Sequence, residues 1–243
     1  MNTFKGPFRL LLKEMRPTFY INTLVTLVLM AFFIILGFWT ESADNSTVAV
    51  GVIFGPYYAI FLAYPFIIFP GYRYILSLGG TRKQFMKAAL MSAVLYVLLA
   101  MLILNGLHFL SESIVSFGNH SISFFHMADL VNGENPLLYL WVDILWCLFL
   151  FGVGMIAKSI WFNFGPLRTL MAVTGLLILG IAAVTFLDLS PVIEFMVVDH
   201  LLFLHLLAGI SILFMLLSYL VMKNGPLERG GRKGLFEPRP TPE

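Results

Sequence analysis

Six long apolar runs divide this 243-residue chain, and all fifteen of its lysines and arginines fall in alternate intervals between them. Lys5, Arg9, Lys13 and Arg16 precede the first run, and Arg73, Arg82, Lys83 and Lys87 lie between the second and third. Lys158 and Arg168 separate the fourth and fifth, while Lys223, Arg229, Arg232, Lys233 and Arg239 follow the sixth. The three remaining intervals hold none. Cations near span ends stay on the cytoplasmic side, so this placement predicts the number of spans and their orientation together. The expected fold is an all-α integral membrane protein with six transmembrane helices and both termini cytoplasmic.

Composition agrees. Hydrophobic residues make up 59% and charged residues 12%, whereas a soluble domain carries about 25% charged residues. A formal charge of +2 spread along membrane borders gives nucleic acid nothing to hold. The same cations suit membrane lipids, at roughly 1 kcal/mol per residue beside an anionic surface. The single Cys147 lies inside an apolar run, which leaves no disulfide framework and no cysteine-rich metal site. The first run exceeds the usual signal-peptide core of about 7–15 residues and has no small-residue cleavage site after it, so it reads as a retained span.

Residues 4–16 alternate apolar Phe8, Leu11, Leu12 and Met15 with basic positions at helical spacing. That pattern predicts an amphipathic cytoplasmic interfacial helix over 1–18, ended by Pro17. Spans are expected at about 19–40, 48–69, 88–110, 137–157, 167–186 and 201–222, each near the roughly 20 residues that cross a hydrocarbon core. An outer loop covers 111–136. The interval 187–200 sets Pro191, Val192, Ile193, Phe195 and Met196 against Asp188, Glu194 and Asp199, and reads as an outer re-entrant or interfacial segment. The tail 223–243 is rich in Gly, Pro and charge and reads as disordered. Asn45-Ser46-Thr47, in the first outer loop, matches a glycosylation acceptor.

In the second span Gly51, Gly55, Ala59 and Ala63 recur every four residues. They predict a face of small side chains, either for close helix packing or as the lining of a pathway. Pro56, Pro65 and Pro70 each remove a backbone donor and are expected to bend this span.

The inner segment 71–85, GYRYILSLGGTRKQF, is the most specific stretch. Tyr72, Ile75, Leu76 and Leu78 make one apolar side of a short helix, which Gly79-Gly80 ends because glycine tolerates the positive φ of a C-terminal cap. Thr81, with Gln84 three residues on, is a capping box that starts the next helix. A short helix, a hinge and a restart therefore stand at the cytoplasmic surface.

Here the chain resembles permease subunits of ABC transporters, in particular the small type-2 exporter-like permeases of Gram-positive bacteria. Their Ser-x-Gly-x-Thr-Arg-x-x-Phe-like segment after the second span is matched by Ser77, Gly79, Thr81, Arg82 and Phe85. The N-terminal helix, the six spans and the outer segment before the sixth span extend the resemblance over about residues 4–222. The sizeable loop between spans three and four departs from the pattern. The resemblance implies a bacterial cytoplasmic membrane and a separate ATP-binding subunit gripped by Tyr72, Arg73, Ile75, Leu76, Ser77, Gly79, Thr81, Arg82 and Phe85. It also implies a second permease subunit, identical or homologous, and an amphipathic, lipid-like or peptide cargo, most often exported. The chain has no G-x-x-x-x-G-K-[ST] sequence, so ATP is expected on the partner and the chain itself holds no cofactor, metal or catalytic residue.

Asp143 lies six residues past Leu137 in the fourth span, roughly 9 Å along a helix. A carboxylate at that depth costs about 2–3.5 kcal/mol on insertion scales and should face a neighbour or water. A transport or gating role is one reading; support from Tyr139, Trp146 or outer-leaflet water, or protonation, is another. His108, His120, His126, His200 and His205 all fall in the outer half, without metal-ligand spacing, and read as polar residues of an interface. Trp39, Trp141, Trp146 and Trp161 mark the membrane borders. Two rival classes remain: an intramembrane enzyme, which lacks a second carboxylate near Asp143, and a non-transporting scaffold, sensor or antibiotic-immunity subunit.

Overall fold

The computed structural model describes residues 5–39, 48–51, 55–117, 122–131, 135–223 and 225. The Asn45-Ser46-Thr47 acceptor and residues 226–243 of the tail lie outside them. Eight helices account for nearly all of the described chain: α1 (Lys5–Trp39), α2 (Gly55–Ile68), α3 (Pro70–Ser77), α4 (Arg82–Phe117), α5 (Pro136–Phe164), α6 (Pro166–Phe186), α7 (Ser190–Val198) and α8 (His200–Lys223). Among the described residues six helical segments are long and apolar enough to cross a membrane, with α2 and α3 counted together as Gly55–Ser77.

The helices α4 and α5 run past their expected ends, to Phe117 and Phe164, so the outer loop begins later than 111 and Lys158 lies within α5. Two further departures change the architecture. Residues 5–39 form one helix that runs through Pro17, with no separate interfacial element. Proline removes one backbone donor, and a long apolar helix packed on its neighbours survives that single loss. At 1.5 Å per residue α1 measures about 50 Å, well beyond a hydrocarbon core of about 30 Å. Its N-terminal turns are anchored to the bundle: Leu11 and Met15 are buried, and Leu11 and Glu14 lie against Gly71 of α3.

The second departure is at residues 48–69. Val48–Gly51 is a strand, β1, paired in parallel with β2 (Ile122–Phe125), Val48 opposite Ile122 and Gly51 opposite Phe125. The helix begins only at Gly55, where Pro56 occupies a first-turn position whose missing N–H has no helical partner to lose. It ends at Ile68, before Pro70 opens α3. Gly51 is therefore not on the helix that was expected to carry it. Ala59 and Ala63, which do lie on α2, are exposed, while the inward face is Tyr57, Phe61, Tyr64, Pro65 and Ile68. The small-residue face points away from the chain's own core.

The helix at the centre is α5, packed against α8, α2 and α4. Glycines on α5 permit these approaches. A Cβ at Gly154 would overlap the Leu62 carbonyl oxygen of α2, and one at Gly152 would overlap the Ser211 hydroxyl of α8. Hydroxyls bind the same seam: Ser211 Oγ donates to the Leu148 carbonyl at 2.6 Å, and Ser159 bonds Ser218. In lipid, such small side chains and hydroxyls replace the hydrophobic effect as the source of helix–helix cohesion. By contrast α6 buries only Thr169, and α7, between α6 and α8, buries nothing.

Candidate functional site

Two polar constructions stand at opposite ends of this bundle. At the cation-bearing end, α3 and the first turn of α4 form an elbow. Gly80 N–H reaches the Ile75 carbonyl at 2.8 Å and Gly79 N–H reaches the Leu76 carbonyl at 3.1 Å. Those are the paired bonds of a Schellman cap, made possible by Gly79 at φ 80°. The capping box forms as expected: Thr81 N–H donates to Gln84 Oε1 at 2.8 Å and Gln84 N–H to Thr81 Oγ1 at 3.2 Å.

The residues expected on this elbow divide by direction. Tyr72, Ile75 and Phe85 are buried, with Tyr72 stacked edge-on against Phe85 and Phe162 at centroid distances of 5.1 and 5.3 Å. They hold the elbow to the bundle and cannot meet a partner. Leu76 is half-buried, and Arg73, Ser77, Gly79 and Thr81 are exposed. Leu78 does not share the apolar side assigned to it: it caps α3 and is 84% exposed, beside Tyr74 at 62%. Tyr74 lies within the expected docking segment 72–78 and is turned outward because Tyr72 and Ile75 fix the inward face.

Arg82 joins three elements. Its Nε donates to Tyr72 Oη at 3.1 Å, Nη1 to the Lys223 carbonyl at 3.0 Å and Nη2 to the Gly225 carbonyl at 2.7 Å. The guanidinium fork suits this work, since it spreads several fixed donors over one plane. A lysine has no comparable geometry.

At the other end Asp143 is 1% exposed and accepts three hydrogen bonds. Tyr58 Oη of α2 donates to Oδ1 at 2.5 Å, Asn105 Nδ2 of α4 to Oδ2 at 2.7 Å, and His126 Nε2 lies 3.1 Å from Oδ2. The Ala128 N–H donates to His126 Nδ1 at 3.0 Å. The second nitrogen of a neutral imidazole must then carry the proton and point it at Asp143. Tyr139 and Trp146, the neighbours expected from helical spacing, do not hold this carboxylate; Tyr139 Oη donates instead to Asp129 at 2.6 Å. His108 and His126 are buried, unlike residues of an exposed interface, and their rings lie 5.1 Å apart.

This cluster has the composition of a clamp. Its donors come from α2, α4 and the segment after β2, and converge on α5. Both His126 nitrogens are engaged, one as donor and one as acceptor, so the imidazole has no lone pair left for a general base. Among the described residues no group of three metal-ligating side chains is present. Cys147 is buried with its thiol toward Met101 Sδ. No family model, curated protein or solved structure matches the chain.

Proposed function

We propose that this chain is the membrane-spanning subunit of an ABC transporter and that the elbow 70–85 is where a separate ATP-binding subunit docks. One observation carries the reading: a short helix is locked to the bundle by its inner face while Arg73, Tyr74, Ser77 and Leu78 stand exposed on the outside. A force applied to that outer face reaches the spans without bending the elbow, because the Schellman cap, the capping box and Arg82 fix it at three points. The cation distribution favours placing this end in the cytoplasm, where ATP is. Export of an amphipathic, lipid-like or peptide compound is the transport reaction in view, with hydrolysis in the partner. The outward face of α2 bearing Ala59 and Ala63 is offered to a second permease subunit.

The test uses Tyr74→Asp with Leu78→Asp in the full chain. The pair should abolish co-purification with the ATP-binding subunit from native membrane while detergent-solubilised stability stays within about 0.5 kcal/mol, since both side chains are surface groups. Retained co-purification, or a maleimide label on Leu78→Cys that enters only from the exterior medium, overturns the reading. Ala59→Leu should lower the yield of permease pairs and leave the single chain intact; unchanged pairing removes α2 from that role.

A further inference from the structure

At the cation-bearing end a recess opens between the elbow and the end of α8, to the side of the exposed Arg73, Tyr74, Ser77 and Leu78. It measures about 390 Å³ and is lined by Leu76, Thr81, Arg82, Lys83, Tyr219 and Lys223. Three of the six are cations and none is acidic. Arg82 is immobilised by its three oxygen acceptors, so its charge is a fixed part of the wall. Lys83 and Lys223 are exposed, on flexible stems that converge from two different helices. The recess also faces the start of α4, whose helix dipole adds partial positive charge.

We propose that this recess binds the phosphate headgroup of an anionic phospholipid. The inference rests on the membrane-spanning fold and not on the ATP-partner reading. Its position selects a lipid over a soluble phosphate: Arg82 opens one candidate span and Lys223 closes another, so both stand where hydrocarbon gives way to headgroups. Tyr219, one turn inside Lys223, and half-buried Leu76 give the recess an apolar wall that an acyl chain can use and an inorganic ion cannot. The fixed guanidinium supplies direction, and the two ammonium groups close on the phosphate from either side. Arg82 would then be the joint between lipid, elbow and α8.

The test is native mass spectrometry of the full-length chain with phosphatidylglycerol and phosphatidylcholine of matched acyl chains, plus glycerol 1-phosphate as a soluble competitor. Phosphatidylglycerol should be retained preferentially. Lys83→Gln and Lys223→Gln should each weaken it about fivefold and together about thirtyfold, at roughly 1 kcal/mol per lysine. Lys158→Gln, whose ammonium lies over the Phe66 ring 4.8 Å from its centroid, should leave it unchanged. Lys83→Arg with Lys223→Arg should keep binding. Equal retention of the two lipids, or a double Gln variant within threefold of the parent, overturns the site. Displacement of the lipid by equimolar glycerol 1-phosphate overturns the lipid assignment in favour of a soluble phosphate. The single variants decide the question should the double variant lose its native elution and melting behaviour.

Discussion

Asp143→Ala and Asp143→Asn should differ in stability far more than either chemistry suggests at first sight. Both substitutions remove the same buried charge, so the insertion cost of a carboxylate, about 2.5–3.5 kcal/mol, is relieved equally and cancels between them. What differs is the fate of the donors. An asparagine can keep its carbonyl toward Asn105 and His126, and its amide can donate to a Tyr58 hydroxyl rotated to accept. Alanine leaves the Tyr58 hydroxyl and the His126 Nε2–H without an acceptor, while Asn105 keeps its 3.0 Å bond to the Met101 carbonyl. The Tyr58 O–H loses its acceptor in both variants, so the further donor orphaned by alanine, the His126 Nε2–H, places Asp143→Ala about 1–3 kcal/mol below Asp143→Asn. Membrane hydrogen bonds averaging about 0.6 kcal/mol put the lower bound nearer that value. Unfolding of the two variants in matched micelles, followed by far-UV circular dichroism, measures the gap. Equal destabilisation of both would refute the argument, because the charge itself would then be what the cluster needs.

Gly154→Ala should separate α5 from α2, since the new methyl overlaps a backbone oxygen that cannot rotate away. A loss of about 1–3 kcal/mol is expected in the same unfolding assay, and no loss would mean that the helices slide freely. Gly79 faces open space, so Gly79→Ala meets only the strain of φ 80°. It should cost about 1–2 kcal/mol, with Gly79→Asn costing less; equal effects would point to a contact at that position and away from backbone strain. Thr81→Ala should cost about 1 kcal/mol through loss of the cap, read as faster amide exchange in the first turn of α4 and not elsewhere.

The parts legible in the sequence are those set by neighbours along the chain. Apolar length marked the six helices, and the Gly79 and Thr81–Gln84 signals located a stop and a start within one residue. Asp143 was legible as an anomaly, but its donors lie 85, 38 and 17 residues away in sequence, and helical spacing proposed Tyr139 and Trp146 instead. Asn105, a full amide inside an apolar run, was the available clue to a partner. The Gly51–Ala63 stripe misled for a related reason. Periodicity shows that small residues share a helical face, yet it holds no information on which way that face turns. Five inward aromatic, proline and isoleucine side chains decided the rotation of α2, and β1 claimed Gly51 by backbone pairing with β2.

The Arg82 clip has a mechanical consequence. A guanidinium tied to carbonyls at the end of α8 makes the elbow and that helix a single lever arm. Since α8 is hydrogen-bonded along the glycine-and-serine seam of α5, a load on the elbow is borne by the central helix as well. Lysine at position 82 would keep the charge and cut the linkage.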